Sequence, residues 1–594
     1  MKRVRTRATR SWRLALPVTV VAAVVMAISA GTTQAGPNTK GPKFTEAAAF
    51  DVSKPLRELA KDAKPSNKAL PPATGKDTDS ELSAEVNAWS AFLSTNASIL
   101  AAMAPQAASL QQALAISAPT ANFEGLSNTD NFNLFGFRVN PPDPVGDVGP
   151  NHYVEMVNLA FAVYDKQGNK LLGPVDTGTL WAGFAVEDCT DPSGDPIVLY
   201  DQLEDRWILS QFTTRGPQYY DCVAISQTGD PTGAYYRYAF ITQPDPDLPG
   251  GTFFPDYPKY GVWTNSYLMT TRDFGDVDEY GISVYALEKN KMLAGNPKAR
   301  AVQFFLDSNV VPLNLIGDGL LPADIDGTRR PIARVAAPIV GTQDDNALYG
   351  ATIDALNIWE FSVQWKANPV ASLAFAAQVP VAPFDSIFPC APTSRDCLAQ
   401  PGIANPAQFL DILSYRQRPT YRLAYRNVGK YESLVTNQSV EAAPGVAGVR
   451  WYEIRRSENP KPSTYSVYQQ GTFNPPDGVN RWMGSIAQDK NGNMGLGYSV
   501  VNGTTVYPGI RYTGRLAGDA LGTMGSVGEG TIVAGTGVQR TTNSRWGDYS
   551  SMNVDPVDDC TFWYVNEYYT LAGQLSSTAG WQTRIGSFKL PGCN

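Results

Sequence analysis

Carboxylates, guanidinium groups and aromatic rings recur at the starts of hydrophobic strands in this chain, a mixture suited to chemistry on a sugar. The carboxylates are Asp143, Asp147, Asp195, Asp256 and Asp548, and the bases are Arg329, Arg330, Arg418, Arg422, Arg481 and Arg545. Two carboxyl groups facing each other across a cleft can protonate a glycosidic oxygen and activate water or attack the sugar, their separation deciding between inversion and retention. Asp195, Asp256 and Asp548 are the acids expected to do this. Tyr257, Trp482, Trp546 and Tyr549 offer faces for sugar rings, and Asp147, Arg330, Arg422, Arg481 and Arg545 offer polar contacts, the arginines suiting an acidic sugar. A lyase would instead neutralise a uronate carboxylate with arginine and move the proton through Tyr549 or His152. Each residue also has a structural reading. An Asp before Pro or Gly accepts backbone hydrogen bonds in a turn, and the Arg-Trp pairs can lock neighbouring sheets together.

His152 is the only histidine and the six cysteines are scattered, so a His/Cys zinc site has almost no ligands to draw on. A serine or cysteine triad would have to recruit His152 as its base. No cofactor is expected. Calcium has one candidate, ADIDG, where Asp324 and Asp326 offer ligands without the remaining EF-hand spacing. DKQGN at Asp165 and DKNGN at Asp489 read as hairpin turns.

The elements that would position these residues begin after a leader. Lys2, Arg3, Arg5, Arg7, Arg10 and Arg13 precede an apolar run from Leu14 to Ala30, with small Thr33 and Ala35 placed for cleavage before Gly36. That is a signal peptide over 1–35, and it predicts a secreted, extracellular protein without a membrane span after cleavage. The mature chain then carries 42 Lys and Arg against 56 Asp and Glu, a formal charge of about −14 that disfavours nucleic acid and anionic lipid. A monomer is expected. Disulfides are favoured over metal ligation, and proximity suggests Cys189 with Cys222, Cys390 with Cys397, and Cys560 with Cys593, although other pairings fit the same count.

Residues 36–80 lack an apolar period and read as a disordered linker. Residues 81–120 show Leu82, Val86, Trp89 and Leu93 at helical spacing and predict a helical segment, either docked on the main domain or removed as a pro-segment. From residue 121 the grammar is strand and turn. A turn of Asp or Asn, usually before Pro, recurs at Asp230, Asn296, Asn368, Asn459 and Asp519, each after a hydrophobic strand. Some 35 to 39 residues upstream of these lies another strand, at Asp195, Pro258, Pro331, Thr420 and Arg481. With strands between and beyond, each unit has four, the form of propeller blades. A first unit opens at His152. A last one from Arg545 has three strands and would borrow its fourth from NFNLFGFRV near Asn131. The expectation is all-β, a seven-bladed β-propeller over 121–594 with an insertion at about 384–418. Two tandem β-sandwiches are the alternative, disfavoured by the constant offset.

The strings FEGLSNTDNFNLFGFRVNPPDPVGDVGPNHYVEMVN, GDPIVLYDQLEDRWILSQF, FPDYPKYGVW, RWMGSIAQDKNGN and RWGDYSSMNVDPVDDCTFWY resemble a family of secreted bacterial β-propeller-like proteins with no assigned activity. The resemblance runs from about residue 122 onward. It implies export and a bacterial origin and transfers no catalytic residue. Similarity to sialidase-type propellers is looser, because the turn at Asp230 lacks the Ser, Asp, Gly, Thr and Trp of an Asp-box.

Two functional readings stand. One is a secreted propeller that binds an extracellular carbohydrate in its funnel and cleaves it as a glycoside hydrolase or polysaccharide lyase. The other is a non-catalytic extracellular interaction protein. A titrating carboxylate pair favours the first, whereas fully paired Arg and Asp without a concave pocket favour the second.

Overall fold

A computed structural model describes residues 41–63, 116–243, 251–275, 280–331, 336–346, 349–386, 396–412, 417–457 and 464–593. The leader and residues 81–115 of the expected helical segment lie outside them, and residues 116–120 form no helix. The described chain is mostly β-sheet with a few short helices. Among the described residues no helix is long and apolar enough to cross a membrane.

The strands fall into quartets of antiparallel neighbours. After β1 (Lys43–Glu46), β2 (Ala49–Val52) and β3 (Ala121–Ser127), the first quartet is β4 (Val145–Val148), β5 (His152–Val157), β6 (Ala160–Asp165) and β7 (Lys170–Asp176). The second is β8 (Ile197–Asp201), β9 (Arg206–Phe212), β10 (Tyr220–Ser226) and β11 (Tyr235–Ile241), and the third is β12 (Phe254–Val262), β13 (Ser266–Phe274), β14 (Tyr280–Glu288) and β15 (Arg300–Asp307). The fourth comprises β16 (Leu321–Asp326), β17 (Ala337–Gln343), β18 (Ala355–Gln364) and β19 (Val370–Pro380). A short pair, β20 (Asp396–Leu398) and β21 (Leu410–Asp411), lies in the expected insertion. The fifth quartet is β22 (Thr420–Asn427), β23 (Glu432–Ala443), β24 (Val446–Ser457) and β25 (Thr464–Phe473), and the sixth is β26 (Asn480–Gln488), β27 (Met494–Val501), β28 (Gly509–Arg515) and β29 (Glu529–Val533). β30 (Ser551–Val554), β31 (Thr561–Tyr569) and β32 (Trp581–Lys589) complete a seventh with β3.

Burial follows position within a quartet. The second and third strands are packed on both faces, so β13, SYLMTTRDF, is buried at every position but its last, whereas the outer strand β19 alternates toward solvent. The first strands are neighbours in the order β4, β8, β12, β16, β22, β26, β30, and β30 lies beside β4. β16 and β22 pair in parallel, Ala323 opposite Leu423, which merges the fourth and fifth quartets into one eight-stranded sheet.

Several elements differ from expectation. The first strand of the first quartet is β4, so His152 opens the second strand. In the fourth quartet the first strand is Leu321–Asp326, the ADIDG segment itself, and Arg329 and Arg330 fall in the connection to β17. The strand that completes the seventh quartet is Ala121–Ser127, while Asn128–Phe135 is helix α2, set by a Ser127–Asp130 capping box and ended by left-handed Gly136. Close approach explains Gly125: a Cβ there would lie 2.3 Å from Thr583 Oγ1 and 2.6 Å from the Glu155 carboxylate.

The linker expected over 36–80 is corrected for its described part. β1 pairs with β15 and β2 with β11, each adding a fifth strand to a quartet, and helix α1 (Leu56–Asp62) buries Leu56. These strands have no core of their own and are held by backbone pairing at existing sheet edges, with Phe44 packed on Trp365 and Phe50 on Tyr238. Asp51 adds a two-pronged contact to the Arg237 guanidinium at 2.7 and 2.6 Å. Cys189–Cys222 and Cys560–Cys593 are disulfides; Cys397 is also disulfide-bonded, and Cys390 lies outside the described residues.

Candidate functional site

The leading ends of the first strands share a local strain. Asp143, Asp195, Tyr257, Gln417, Met483 and Ser544 all have φ between +46° and +52°, and the fourth quartet has Gly317 at +55° instead. A left-handed backbone costs a non-glycine residue about 1 kcal/mol or more, and such positions persist where the surroundings over-determine them, often at functional sites. Three are followed by proline: Asp143-Pro144, Asp195-Pro196 and Tyr257-Pro258.

Around these starts a charged cluster assembles. Lys259, fully buried on β12, places its ammonium 3.5 Å from the centre of the Tyr257 ring and 3.9 Å from that of Tyr549, and it donates to the Pro258 carbonyl at 2.9 Å. The two rings meet edge to face. Arg418 stacks on Tyr257 at 3.8 Å and donates through Nη2 to Asp548 Oδ2 at 3.3 Å. Arg545 donates to the other oxygen of Asp548 at 2.6 Å. Asp143 accepts from the Asp548 backbone N–H and from Asn158 Nδ2, both at 2.6 Å, and Asn158 Oδ1 accepts from the Asp195 N–H at 2.9 Å. Glu567, on β31, accepts from the Gly547 N–H at 2.5 Å. A Cβ on Gly547 would sit 2.9 Å from Glu567 Oε1 and 3.2 Å from the Asp143 nitrogen, so a side chain there would have to displace the carboxylate. Asp195 alone among these acids is partly exposed.

Burial dominates the electrostatics. It raises Asp143 to about 8, with Asp548 and Asp195 adding to the rise. Glu567 is pushed well above the usual carboxylate range by burial, with Asp143 and Asp548 adding. Asp195 is raised by burial against the opposing pull of Lys259, with Asp548 adding and Arg545 and Arg418 opposing. Burial lowers Lys259 to about 7 although Asp195, the largest charge acting on it, favours the cation.

The insertion packs against this site. Gln400 exchanges hydrogen bonds with Gln539 at 3.0 and 2.9 Å, Gln408 donates to the Arg540 carbonyl, and the Asp411 N–H donates to Ser544. Asp411 also lies 3.6 Å from Arg545. These contacts hold the segment that leads into Arg545 and Asp548.

Of the residues expected to act, Asp195, Asp548, Tyr257, Tyr549 and Arg545 come together. Asp256 is buried beside them in sequence but is set opposite Arg272 by the strand register. His152 is not near the cluster, since β4 and its hairpin separate it from Asp143; its charged neighbours are Asp230, Asp165 and Lys166, and burial lowers it. Arg330 is exposed and pairs with Glu204 at 3.2 Å. Arg481 is held by Asp477 and Glu529. Trp482 and Trp546 are fully buried with ring centres 5.1 Å apart and present no face to a ligand. Arg422, Asp147 and the calcium candidates form a separate group: Arg422 binds Asp324 at 2.8 Å and Asp326 at 2.6 Å, while Asp147 accepts from the Tyr200 N–H at 2.7 Å. Both calcium candidates are therefore occupied by a guanidinium. Asp165 and Asp489 close hairpin turns by accepting from Asn169 and Asn493. Asp344, Asp345 and Asp354 approach closely enough to share a cation, but Asp344 and Asp354 already accept backbone N–H bonds.

Lys259 and Glu567 escaped the sequence reading. In PKYGVW a lysine reads as a solvated strand residue, and Glu567 stands inside a strand. The available signal was a charge placed in otherwise apolar first and second strands.

No protein-family model matches the chain. No curated protein matches it either. Among solved structures, an α-L-arabinofuranosidase of Fusarium graminearum aligns over 67% of this chain and 94% of its own at 11% identity and a TM-score of 0.32. An α-L-arabinanase of Penicillium chrysogenum aligns over 59% and 97% at 10% identity and 0.26, and an endo-arabinase of Bacteroides thetaiotaomicron over 55% and 95% at 11% identity and 0.23. At these values the likeness carries no argument, and function has to be read from the side chains.

Proposed function

We propose that the seven quartets are the blades of a β-propeller and that the chain, exported by its leader, binds and hydrolyses an extracellular carbohydrate at the cluster around Lys259. The cyclic order of neighbouring first strands supports the propeller. One observation carries the activity: carboxylates from the first, second and seventh quartets gather beside two tyrosine rings, and the one that reaches solvent, Asp195, is raised while Asp548 is ion-paired. Carboxyl groups in such contrasting surroundings suit opposite duties, Asp195 donating a proton to the leaving oxygen and Asp548 acting as the carboxylate partner. Tyr257 and Lys259, themselves buried, set the charge balance beside Asp195.

The pairing of Arg545 with Asp548 favours a second reading, a binding protein without turnover. A digestion screen of the purified protein on plant, algal and microbial polysaccharides separates them. Cleavage that falls about 10²- to 10⁴-fold in Asp195→Asn is the expected result. Binding without cleavage selects the second reading, and cleavage unaffected by Asp195→Asn removes the proton donor assigned here.

A further inference from the structure

Arg418 is fully buried, and its nitrogens are not all satisfied. Nη2 reaches Asp548 at 3.3 Å, whereas Nε and Nη1 have no acceptor. The Tyr257 hydroxyl, on the ring beneath the guanidinium, is buried and also lacks a partner. A buried cation left with unmade hydrogen bonds is destabilising, so such an arrangement is retained where something else supplies the acceptors. Three of the neighbouring anions have partners besides Arg418. Asp548 is held at 2.6 Å by Arg545, Asp318 by the Tyr349 hydroxyl at 2.5 Å and by Arg272, and Asp143 by Asn158 and the Asp548 backbone.

Resting on the carbohydrate reading above, we infer that the sugar is an acidic one and that Arg418 donates to its carboxylate through Nη1, with the Tyr257 hydroxyl donating beside it. A neutral sugar would offer oxygen atoms without charge. A carboxylate offers both, and it matches the donor geometry of a guanidinium better than that of an ammonium.

The test is calorimetric titration of the whole protein with oligosaccharides of galacturonate, of mannuronate and guluronate, and of hyaluronan, and with sialyllactose. Each is paired with its carboxyl-reduced form, beside neutral arabino-oligosaccharides and sulfated carrageenan fragments. The expected result is that at least one carboxylated ligand binds and its reduced form binds about tenfold to a hundredfold more weakly. Arg418→Lys should erase that preference, the carboxylated ligand and its reduced form then binding alike. If Arg418→Lys does not fold, the paired ligands on the parent protein decide the matter alone. Neutral or sulfated ligands bound as well as or better than carboxylated ones would overturn the carboxylate assignment and leave the carbohydrate reading standing. No binding across the panel would overturn both.

Discussion

A lysine ammonium enclosed by two tyrosine rings is a desolvated charge whose main compensation comes from nearby carboxylates, so Lys259 and Asp195 set each other's protonation. Lys259→Met keeps the length of the side chain and removes the charge. Because the ammonium holds Asp195 down, its loss should raise Asp195 further. The pH limb on which a protonated Asp195 is lost then moves to higher pH. Carboxyl-carbon shifts of Asp195 followed through a pH titration report this directly, with or without turnover; an unmoved titration would mean that the two groups do not communicate. At this scale the sequence was informative where a residue stood next to a turn signal. Asp195 and Tyr257 are themselves strained positions before a proline, Asp548 and Tyr549 lie between strained Ser544 and the start of β30, and turn grammar makes such segments visible. Trp482 and Trp546 misled because the preference of a large ring for a sugar face or for a core depends on which neighbours surround it, and the string contains no such information.

Elements were legible when they carried their own hydrophobic pattern. The spacing of turn and strand located most of the quartets, yet in the fourth it chose Pro331 rather than Leu321–Asp326, because LPADID reads as a polar loop until Arg422 neutralises its two acids. β1 and β2 left no pattern, since pairing with a sheet edge uses the backbone, which every residue has. Asp51 adds a charge contact, fastening β2 to the buried Arg237 beside the packing of Phe50 on Tyr238. Asp51→Ala should leave that guanidinium short of an acceptor and cost about 1–3 kcal/mol. Hydrogen exchange at Tyr235–Ile241, which β2 covers, should accelerate in the variant. Unchanged exchange there would show that the added strand is held without the ion pair.

For the whole molecule, the decisive junction lies between the first and seventh quartets. Glu155 on β5 accepts from the Leu126 N–H of β3 at 2.9 Å and from the Thr583 hydroxyl of β32. Burial raises it to about 7, so the folded state holds its proton where the unfolded chain releases it. Stability therefore falls as pH rises from about 4.5 to 7, by up to about 3 kcal/mol for this group, and Asp143 and Asp147, raised to about 8, act in the same direction. Glu155→Gln can still donate to the Thr583 oxygen, so the melting temperature of the variant should decline less between pH 5 and 8 than that of the parent. An equal decline would mean that this junction does not titrate. A second expectation concerns β3: replacing Ala121–Ser127 by a Gly/Ser segment exposes the edge of β32 and should lower the melting temperature of the entire sheet assembly in one transition, read by calorimetry. The sequence indicated that the last unit lacked a strand. It pointed to Asn131 for the donor because the capping box that turns Asn128–Phe135 into helix is weaker to the eye than the aromatic residues it contains.

Ala121 leaves the ribosome 466 residues ahead of Ser587, the residue it faces. At ~5–20 residues per second, the newborn polypeptide carries Phe123 and Leu126 without their final neighbours for tens of seconds. Pairing of β3 cannot keep pace with synthesis, and translation of β32 decides whether the edge of β3 is covered or left open to association with other copies.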